Sequence, residues 1–177
     1  MSLIERRYAE ALIDISVENG AIDGYQQEFQ NVVDVYNKEQ ELKFFLLNPR
    51  VNTDAKKDVL KKVFSDSVNS NVVNFLMLLL DKGRAKFLPG ILEEFIRLAD
   101  KKKNILNMTI ISAAPLKDAQ IDEIKEKYMK IYNASSVKVN VEVDESLIGG
   151  VKVKIGDRVV DGSIKGRLES LKELLAN

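Results

Sequence analysis

The sequence predicts a mainly α-helical protein, in which an N-terminal six-helix bundle is followed by a small α+β domain with a mostly antiparallel sheet. Three observations support this fold class. Apolar residues recur at helical spacing through the first half. The pattern changes at the charged segment Asp100–Asn104, and period-two alternation begins after it. We therefore predict two domains, residues 1–104 and 105–177.

Three helices are predicted before the first proline. The first runs from about Leu3 to Glu18 and stops at Asn19-Gly20. A short third helix ends at Asn48-Pro49, because the residue before a proline disfavours helical geometry. The apolar stripe of the first helix is Ile4, Tyr8, Ala11, Leu12 and Ile15, and that of the second is Tyr25, Phe29, Val32, Val33 and Tyr36.

Three further helices complete the first domain. Thr53 is predicted to cap the fourth helix, and Asn69 or Ser70 to open the fifth. Pro89 falls in the first turn of the sixth, where proline is tolerated. The fifth helix is apolar on nearly every face between Val72 and Leu80. It is therefore either buried on all sides or leaves one face open for a partner.

The second domain is predicted from alternating and helical patterns in the order strand, helix, three strands, helix. This order suggests an α+β domain. The first strand has Leu106, Met108 and Ile110 on one face. The following helix is predicted to have Ile121, Ile124, Tyr128 and Ile131 inward. The next strand has Val137, Val139, Val141 and Val143 on one face, and the last helix has Ile164, Leu168, Leu171 and Leu175 on one stripe.

A glycine-rich stretch, "LIGGVKVKIGDRVVDGS" (Leu147–Ser163), raises the question of a phosphate-binding loop. Between Gly156 and Gly162 five residues intervene where the P-loop pattern has four, and the lysine of that pattern is absent. The alternation around "VKVKI" instead predicts a strand. Gly156-Asp157 suits a type II′ hairpin turn, and Ser163 can cap the last helix.

The composition excludes several classes of function. Lys and Arg total 27, as do Asp and Glu, so the net charge is zero. This balance argues against a general nucleic-acid binder. The chain contains no cysteine and no histidine, which excludes a disulfide, a thiolate nucleophile and a Cys/His zinc site. We predict no catalytic, cofactor-binding or metal-binding residues.

Neither the N-terminal segment nor the longest apolar run predicts membrane insertion. The segment "MSLIERRYAEALIDIS" is amphipathic and contains acidic residues, unlike a signal or transit peptide. The longest apolar run, Phe75–Leu80, is far shorter than the roughly 20 residues of a membrane span.

Several motifs, taken in order, resemble one family over nearly the whole chain. The most specific is "VDESLIGGVKVKIGDRVVDGSIKGRLESL" (Val143–Leu171), and the others are "RYAEAL", "NPRV", "LLLDKGR" followed by "LPGILEEF", and "ISAAPL". Together they resemble the delta subunit of bacterial F-type ATP synthase, whose mitochondrial counterpart is the oligomycin-sensitivity-conferring protein. Lys82 departs mildly from the expected motif, in which "ENGR" is favoured.

The resemblance implies a noncatalytic stator subunit, present in one copy per complex at the cytoplasmic face of the bacterial plasma membrane. It implies that the helical domain binds N-terminal segments of the alpha subunits and that the second domain binds the C-terminal ends of the b subunits. No cofactor and no nucleic acid is implied. The competing hypotheses are an unrelated helical adaptor that binds RNA or protein and, less favoured, an enzyme.

Two sets of residues are candidates for these contacts. We expect an amphipathic alpha-subunit helix to dock between the first and fifth helices. The candidates there are Tyr8, Ala11, Leu12, Ile15, Val72, Phe75, Leu78 and Leu79. The candidates for contacting or supporting the stalk are Ile148, Val151, Val153, Ile164 and Leu168. For both sets the competing interpretation is that the residues form intramolecular core.

Overall fold

The chain has two compact units in a computed structural model that describes residues 2–65, 67–168 and 172. The units are Met1–Ala99 and Asp100–Asn177. The division falls inside the last helix of the first half, which continues to Lys102.

Six α-helices form the described part of the first unit. A short 3-10 turn, Ala85–Phe87, precedes the sixth of them. The helices are α1 (Leu3–Glu18), α2 (Ile22–Lys38), α3 (Gln40–Leu47), α4 (Thr53–Phe64), α5 (Ser70–Asp81) and α6 (Leu88–Lys102).

The helix ends follow from local capping chemistry. At the start of α1, Ser2 and Glu5 form a reciprocal capping box, in which the Ser2 amide donates to the Glu5 carboxylate at 2.7 Å. Asn69 caps α5, as expected. The expected cap of α4 was wrong: Asn52 caps it by accepting from the amide of Asp54, and Thr53 is the first helical residue.

The core of the first unit is centred on edge-to-face aromatic rings. The Phe29 ring lies 5.7 Å from that of Phe75 and 6.3 Å from that of Phe95. All five predicted stripe residues of α2 are buried. Most of α5 is buried too, but Leu78 is 45% exposed. Helix α5 was predicted to be either buried on all sides or open on one face, and the structure shows the open face.

The buried face of α1 differs from its predicted stripe. Ala11 and Ile15 face outward, and Ile15 is 36% exposed. The residues that are buried are Tyr8, Ala9, Leu12, Ile13 and Ser16. The apolar residues of α1 thus lie on two adjoining faces of the helix, one packed against the core and one exposed to solvent.

The second unit contains a four-stranded mixed sheet with strand order β2-β1-β3-β4. The elements are β1 (Ile105–Ser112), α7 (Asp118–Tyr132), β2 (Ser136–Val143), β3 (Val151–Ile155), β4 (Arg158–Asp161) and a final helix over residues 164–168. Strands β1 and β2 are parallel because α7 returns the chain to the same end of the sheet, whereas β1/β3 and β3/β4 are antiparallel. The sheet is therefore mixed, and the expected mostly antiparallel arrangement did not anticipate the parallel pair.

The core of the second unit lies between the sheet and α7. Met108, Ile110, Val153 and Tyr128 form its buried centre. The prediction that Ile131 points inward was wrong, since it is 61% exposed and Tyr132 packs against this core instead. The predicted stripe residues Leu171 and Leu175 lie outside the described residues.

Candidate protein-binding surfaces

A groove of about 520 Å³ lies between α1 and α5 on the first unit. Helix α1 contributes positions separated by three or four residues, which lie on one helical face. The outward face of α5 forms the opposite wall. The lining residues are Arg7, Tyr8, Ala11, Ile15, Asn71, Asn74, Phe75, Leu78 and Arg84. We call this feature the α1/α5 groove.

The floor of the α1/α5 groove is continuous with the aromatic core. The Tyr8 ring meets that of Phe75 edge to face, with centroids 6.0 Å apart. Ala11 is small and exposed, so it leaves room above these rings. Leu78 adds apolar surface at the rim. The groove can therefore accept apolar side chains onto its aromatic floor.

The two ends of the α1/α5 groove differ in their polar groups. At one end, Arg84 Nη1 donates to Tyr8 Oη at 2.7 Å. At the other end, the Tyr25 hydroxyl accepts from the side-chain amides of Asn71 at 2.7 Å and Asn19 at 2.8 Å. These contacts place the start of α1 beside the end of α5, so the two helices line the groove in opposite directions.

The predicted groove residues divide into two groups. Tyr8, Ala11, Ile15, Phe75 and Leu78 line the groove together. The other three, Leu12, Val72 and Leu79, are core residues at 0–1% exposure and support it from beneath. Helical spacing alone did not separate these groups, because both consist of apolar side chains.

Sequence reasoning did not identify the polar lining of the groove, which consists of Arg7, Asn71, Asn74 and Arg84. The positions of these residues in the sequence were the available signal. Arg7 precedes Tyr8 on the same helix, and Asn74 is one of the few polar residues in the otherwise apolar α5.

An exposed apolar surface on the second unit contains three of the five predicted stalk residues. Ile148 is 68% exposed, Ile164 is 47% and Leu168 is 53%. The Ile164 amide donates to the Gly149 carbonyl at 3.0 Å, which brings Ile164 beside the segment that carries Ile148. Val151 is half-buried, and Val153 is a core residue at 3% exposure. We call Ile148, Ile164 and Leu168 the C-terminal apolar surface.

The backbone at Ile148 is unusual, because this β-branched residue has a φ of +66°. Positive φ is unfavourable for a β-branched side chain. The neighbouring turn Glu145–Leu147 buries Leu147 and leaves Ile148 in solvent. The chain therefore holds a large apolar side chain outward in an unfavourable conformation.

The glycine-rich stretch forms a hairpin and a helix cap, in agreement with the sequence analysis. Gly156 has a φ of +56° while Asp157 keeps a negative φ, as a type II′ turn requires. Ser163 Oγ accepts from the Gly166 amide at 3.0 Å and so caps the final helix. Asp161 accepts from the Ser163 amide and hydroxyl at 2.9 and 2.6 Å.

Two carboxyl groups in this region have depressed pKa values. Hydrogen bonds from Ser163, with a smaller effect of Lys152, hold the pKa of Asp161 below its usual range. Hydrogen bonds from Ser146 lower the pKa of Asp144. Asp144 caps the turn Glu145–Leu147, and Asp161 accepts from the residue that caps the final helix, so both charges serve local backbone structure. No acidic cluster suited to a metal ion occurs within residues 2–65, 67–168 and 172.

The described part of the chain has no helix with the length and hydropathy needed to span a membrane. The helical groove on the first unit and the exposed apolar surface on the second are the candidate protein-binding surfaces of this two-unit chain.

Comparison with known proteins identifies the family. A profile described as the ATP synthase delta (OSCP) subunit matches residues 4–175. The ATP synthase subunit delta of Acetivibrio thermocellus is 51% identical over 175 residues, which cover 99% of this chain and 98% of that protein. The subunit delta of Ruminiclostridium cellulolyticum is 44% identical, with 99% of each chain covered.

The fold agrees with this relationship. A chain in the cryo-EM structure of the Toxoplasma gondii mitochondrial ATP synthase hexamer superposes with a TM-score of 0.70 at 19% identity, covering 100% of this chain and 99% of that one. The chain therefore belongs to the ATP synthase delta (OSCP) subunit family. It is a noncatalytic stator subunit of the peripheral stalk. The alternative of an unrelated helical adaptor is not supported.

Proposed function

We propose that the chain joins the alpha subunits of the catalytic head to the b subunits of the peripheral stalk. Residues 1–104 bind N-terminal segments of the alpha subunits, and residues 105–177 bind the C-terminal ends of the b subunits. One copy serves each complex, at the cytoplasmic face of the bacterial plasma membrane. The joint resists rotor torque, so that proton flow drives ATP synthesis instead of turning the head with the rotor.

The α1/α5 groove is the observation that carries the first half of this proposal. From Arg7 to Ile15, α1 rises about 12 Å, which matches about two turns of a docked helix. Such grooves bind amphipathic helices through apolar anchors at helical spacing. Tyr8, Ala11, Phe75 and Leu78 provide the apolar contact surface for those anchors.

The groove assignment is tested by Ala11→Trp, measured as the affinity for a peptide of the alpha-subunit N-terminus. A Trp side chain at this exposed position fills the groove without entering the core, so we expect at least a tenfold loss of affinity with unchanged folding, equivalent to about 1.4 kcal/mol. The matched control is Val17→Trp. Val17 is 41% exposed on α1 and does not line the groove. Equal binding by both variants and the native chain would show that the alpha segment docks elsewhere.

The C-terminal apolar surface supports the second half of the proposal. Exposed isoleucine and leucine side chains lose unfavourable hydration when a partner covers them. Ile148 adds a specific argument, because its positive φ costs free energy in the isolated chain without burying the side chain. A contact with the b subunits accounts for an outward apolar residue at this position.

The stalk assignment is tested by Ile148→Asn, measured as binding to a soluble b-subunit fragment. Asparagine adopts positive φ more readily than isoleucine, so the free energy of opening of the second unit, from amide hydrogen exchange, should be unchanged or raised while stalk binding weakens. The control is Ile131→Asn, which alters an isoleucine of similar exposure, 61%, on α7. Equal weakening by the two variants, or none by either, would contradict the assignment.

The two contacts must persist against torque. An affinity near 1 nM corresponds to about −12 kcal/mol, and apolar anchors supply most of such an energy, since exposed charge pairs contribute little. Because the surfaces lie on separate compact units, one chain can engage both partners at once.

A further inference from the structure

Two arginines lie at one end of the α1/α5 groove. Arg7 is exposed on α1, and Arg84 is half-buried just after α5. The Arg84 guanidinium carbon lies 5.2 Å from the centroid of the Tyr8 ring, and its Nη1 donates to the Tyr8 hydroxyl at 2.7 Å. The phenol therefore holds this guanidinium in position at the end of the apolar floor.

Within residues 2–65, 67–168 and 172, no carboxylate pairs with Arg7 or Arg84. Two other arginines of the same unit do have such partners: Arg6 pairs with Glu10, and Arg97 with Glu94. Tyr8 is a neutral partner, and a guanidinium has several N–H donors beyond the one directed at it. The arginine end of the groove thus has positive charge and spare donors.

A helix that covers this end removes water from Arg84. Desolvating a charged group is unfavourable unless a counter-charge with good hydrogen-bond geometry replaces the water. An apolar occupant would leave that cost uncompensated, whereas a carboxylate can form a charge-assisted pair with the guanidinium fork.

The opposite end of the groove is uncharged in its lining. Asn71 is held there through its amide by the Tyr25 hydroxyl. The difference between the ends gives the groove an electrostatic polarity along its length. A docked helix with a carboxylate at one end of its apolar stripe is therefore favoured in one direction and one register.

We propose that Arg84, supported by Arg7, selects an acidic side chain flanking the apolar stripe of the docked alpha-subunit helix. Arg84 is thus a specificity-determining residue, and Tyr8 is the positioning residue that orients it. This inference rests on the proposed docking of the alpha-subunit N-terminus in the groove, and it adds the charge that the occupant must carry and the end at which it lies.

The test is a double-mutant cycle on the full chain and a synthetic peptide of the alpha-subunit N-terminus from the same organism. Each acidic residue of the peptide is changed singly to Gln, and the chain carries Arg84→Gln. We expect Arg84→Gln to weaken binding about tenfold at low salt, as for a partly buried charge pair. One of the Gln peptides should also bind the native chain about tenfold more weakly. Combining that peptide with Arg84→Gln should weaken binding little more than either change alone.

Matched controls separate this pair from general electrostatics and from misfolding. Lys82→Gln removes a positive charge close to Arg84 in sequence but outside the groove lining. It should leave affinity within about twofold, as expected for an exposed charge. Arg7→Gln changes an exposed residue and provides a second groove variant if Arg84→Gln proves unstable. Tyr8→Phe removes the hydroxyl but keeps the ring.

Salt dependence provides a readout that a structural role alone would not move. Raising the salt from about 50 to 500 mM should weaken native binding several-fold and the Arg84→Gln complex much less. Tyr8→Phe should lower affinity while it retains the salt dependence, because the charge is still present but less well oriented.

The outcomes distinguish this inference from the proposed function. If the native chain binds and Ala11→Trp prevents it, yet neither Arg84→Gln nor any Gln peptide weakens binding, the charge selection is wrong and the docking stands. An alpha-subunit segment without an acidic residue beside its apolar stripe would also overturn the selection. If the native chain does not bind the segment at all, both proposals fail.

Discussion

Replacing Gly150 with alanine tests whether the backbone of the glycine-rich stretch Leu147–Ser163 requires a glycine at this position. Gly150 has a φ of +79°, and a Cβ added to it would lie 2.6 Å from the Gly162 carbonyl oxygen and 3.0 Å from the Ser163 Cα. Positive φ costs an alanine about 1 kcal/mol. Moving the facing backbone away adds about 1–3 kcal/mol, by analogy with overpacked cores. We expect these two effects of Gly150→Ala to destabilise the second unit by about 2–4 kcal/mol. This range does not include the opposing stabilisation that alanine gives by restricting the unfolded chain.

Gly156→Ala is the matched control for this variant. Gly156 has a similar φ of +56°, but no atom lies within 4 Å of its added Cβ. Both alanines also restrict the unfolded chain, which offsets up to about 1 kcal/mol in each. The difference in destabilisation between the two variants therefore measures the cost of the steric contact between the added Cβ and residues 162–163. We expect this cost to be about 1–3 kcal/mol.

Amide hydrogen exchange is the appropriate assay, because the chain has two compact units and a single unfolding midpoint would mix them. The free energy of opening at Ile110 and Val153, both buried in the sheet, reports on the second unit. Amides in α2 report on the first unit and should not change. Equal losses for Gly150→Ala and Gly156→Ala would refute the argument that the close approach matters.

Two further predictions concern charged groups. Hydrogen bonding lowers the pKa of Asp161 in the folded chain. The Asp161 carboxylate therefore contributes to the free energy of unfolding above the ordinary aspartate pKa of about 3.9, and this contribution is lost as the pH falls through the lowered pKa. Asp161→Asn should therefore be less stable than the native chain near pH 7, and urea unfolding curves should show the difference shrinking below about pH 4. Glu94 is fully buried and accepts two 2.6 Å hydrogen bonds from Arg97. Glu94→Gln should lower the free energy of unfolding by about 1–2 kcal/mol, and Glu93→Gln at the exposed neighbouring position by less than about 0.5 kcal/mol; equal effects would contradict the role of the buried pair.

Local signals predicted the helices and the final hairpin well, because they depend on neighbours in sequence. The bounds of α1 agree with Leu3–Glu18, since the Asn19-Gly20 stop is encoded within a few residues. The Gly156-Asp157 turn is encoded in the same local way. By contrast, period-two alternation identifies strands but not their pairing direction, so the parallel β1/β2 pair was not foreseen.

The candidate sites were predicted only in part, for a related reason. Leu12 and Ala11 are adjacent apolar residues on one helix, yet one is core and the other lines the groove. Which side faces a partner depends on how α5 packs against α1, and this is a tertiary property. Arg84 was not identified as a lining residue because its place in the groove depends on Tyr8, a residue 76 positions away in sequence.

Native mass spectrometry tests the central claim most directly, by asking whether one chain holds both partners at the same time. The chain is mixed with an alpha-subunit N-terminal peptide and a soluble b-subunit fragment. We predict a complex that contains one copy of the chain together with both partners. Ala11→Trp should remove only the peptide, and Ile148→Asn only the b fragment. Mutually exclusive binding, or loss of both partners from either variant, would contradict a joint built from two separate surfaces.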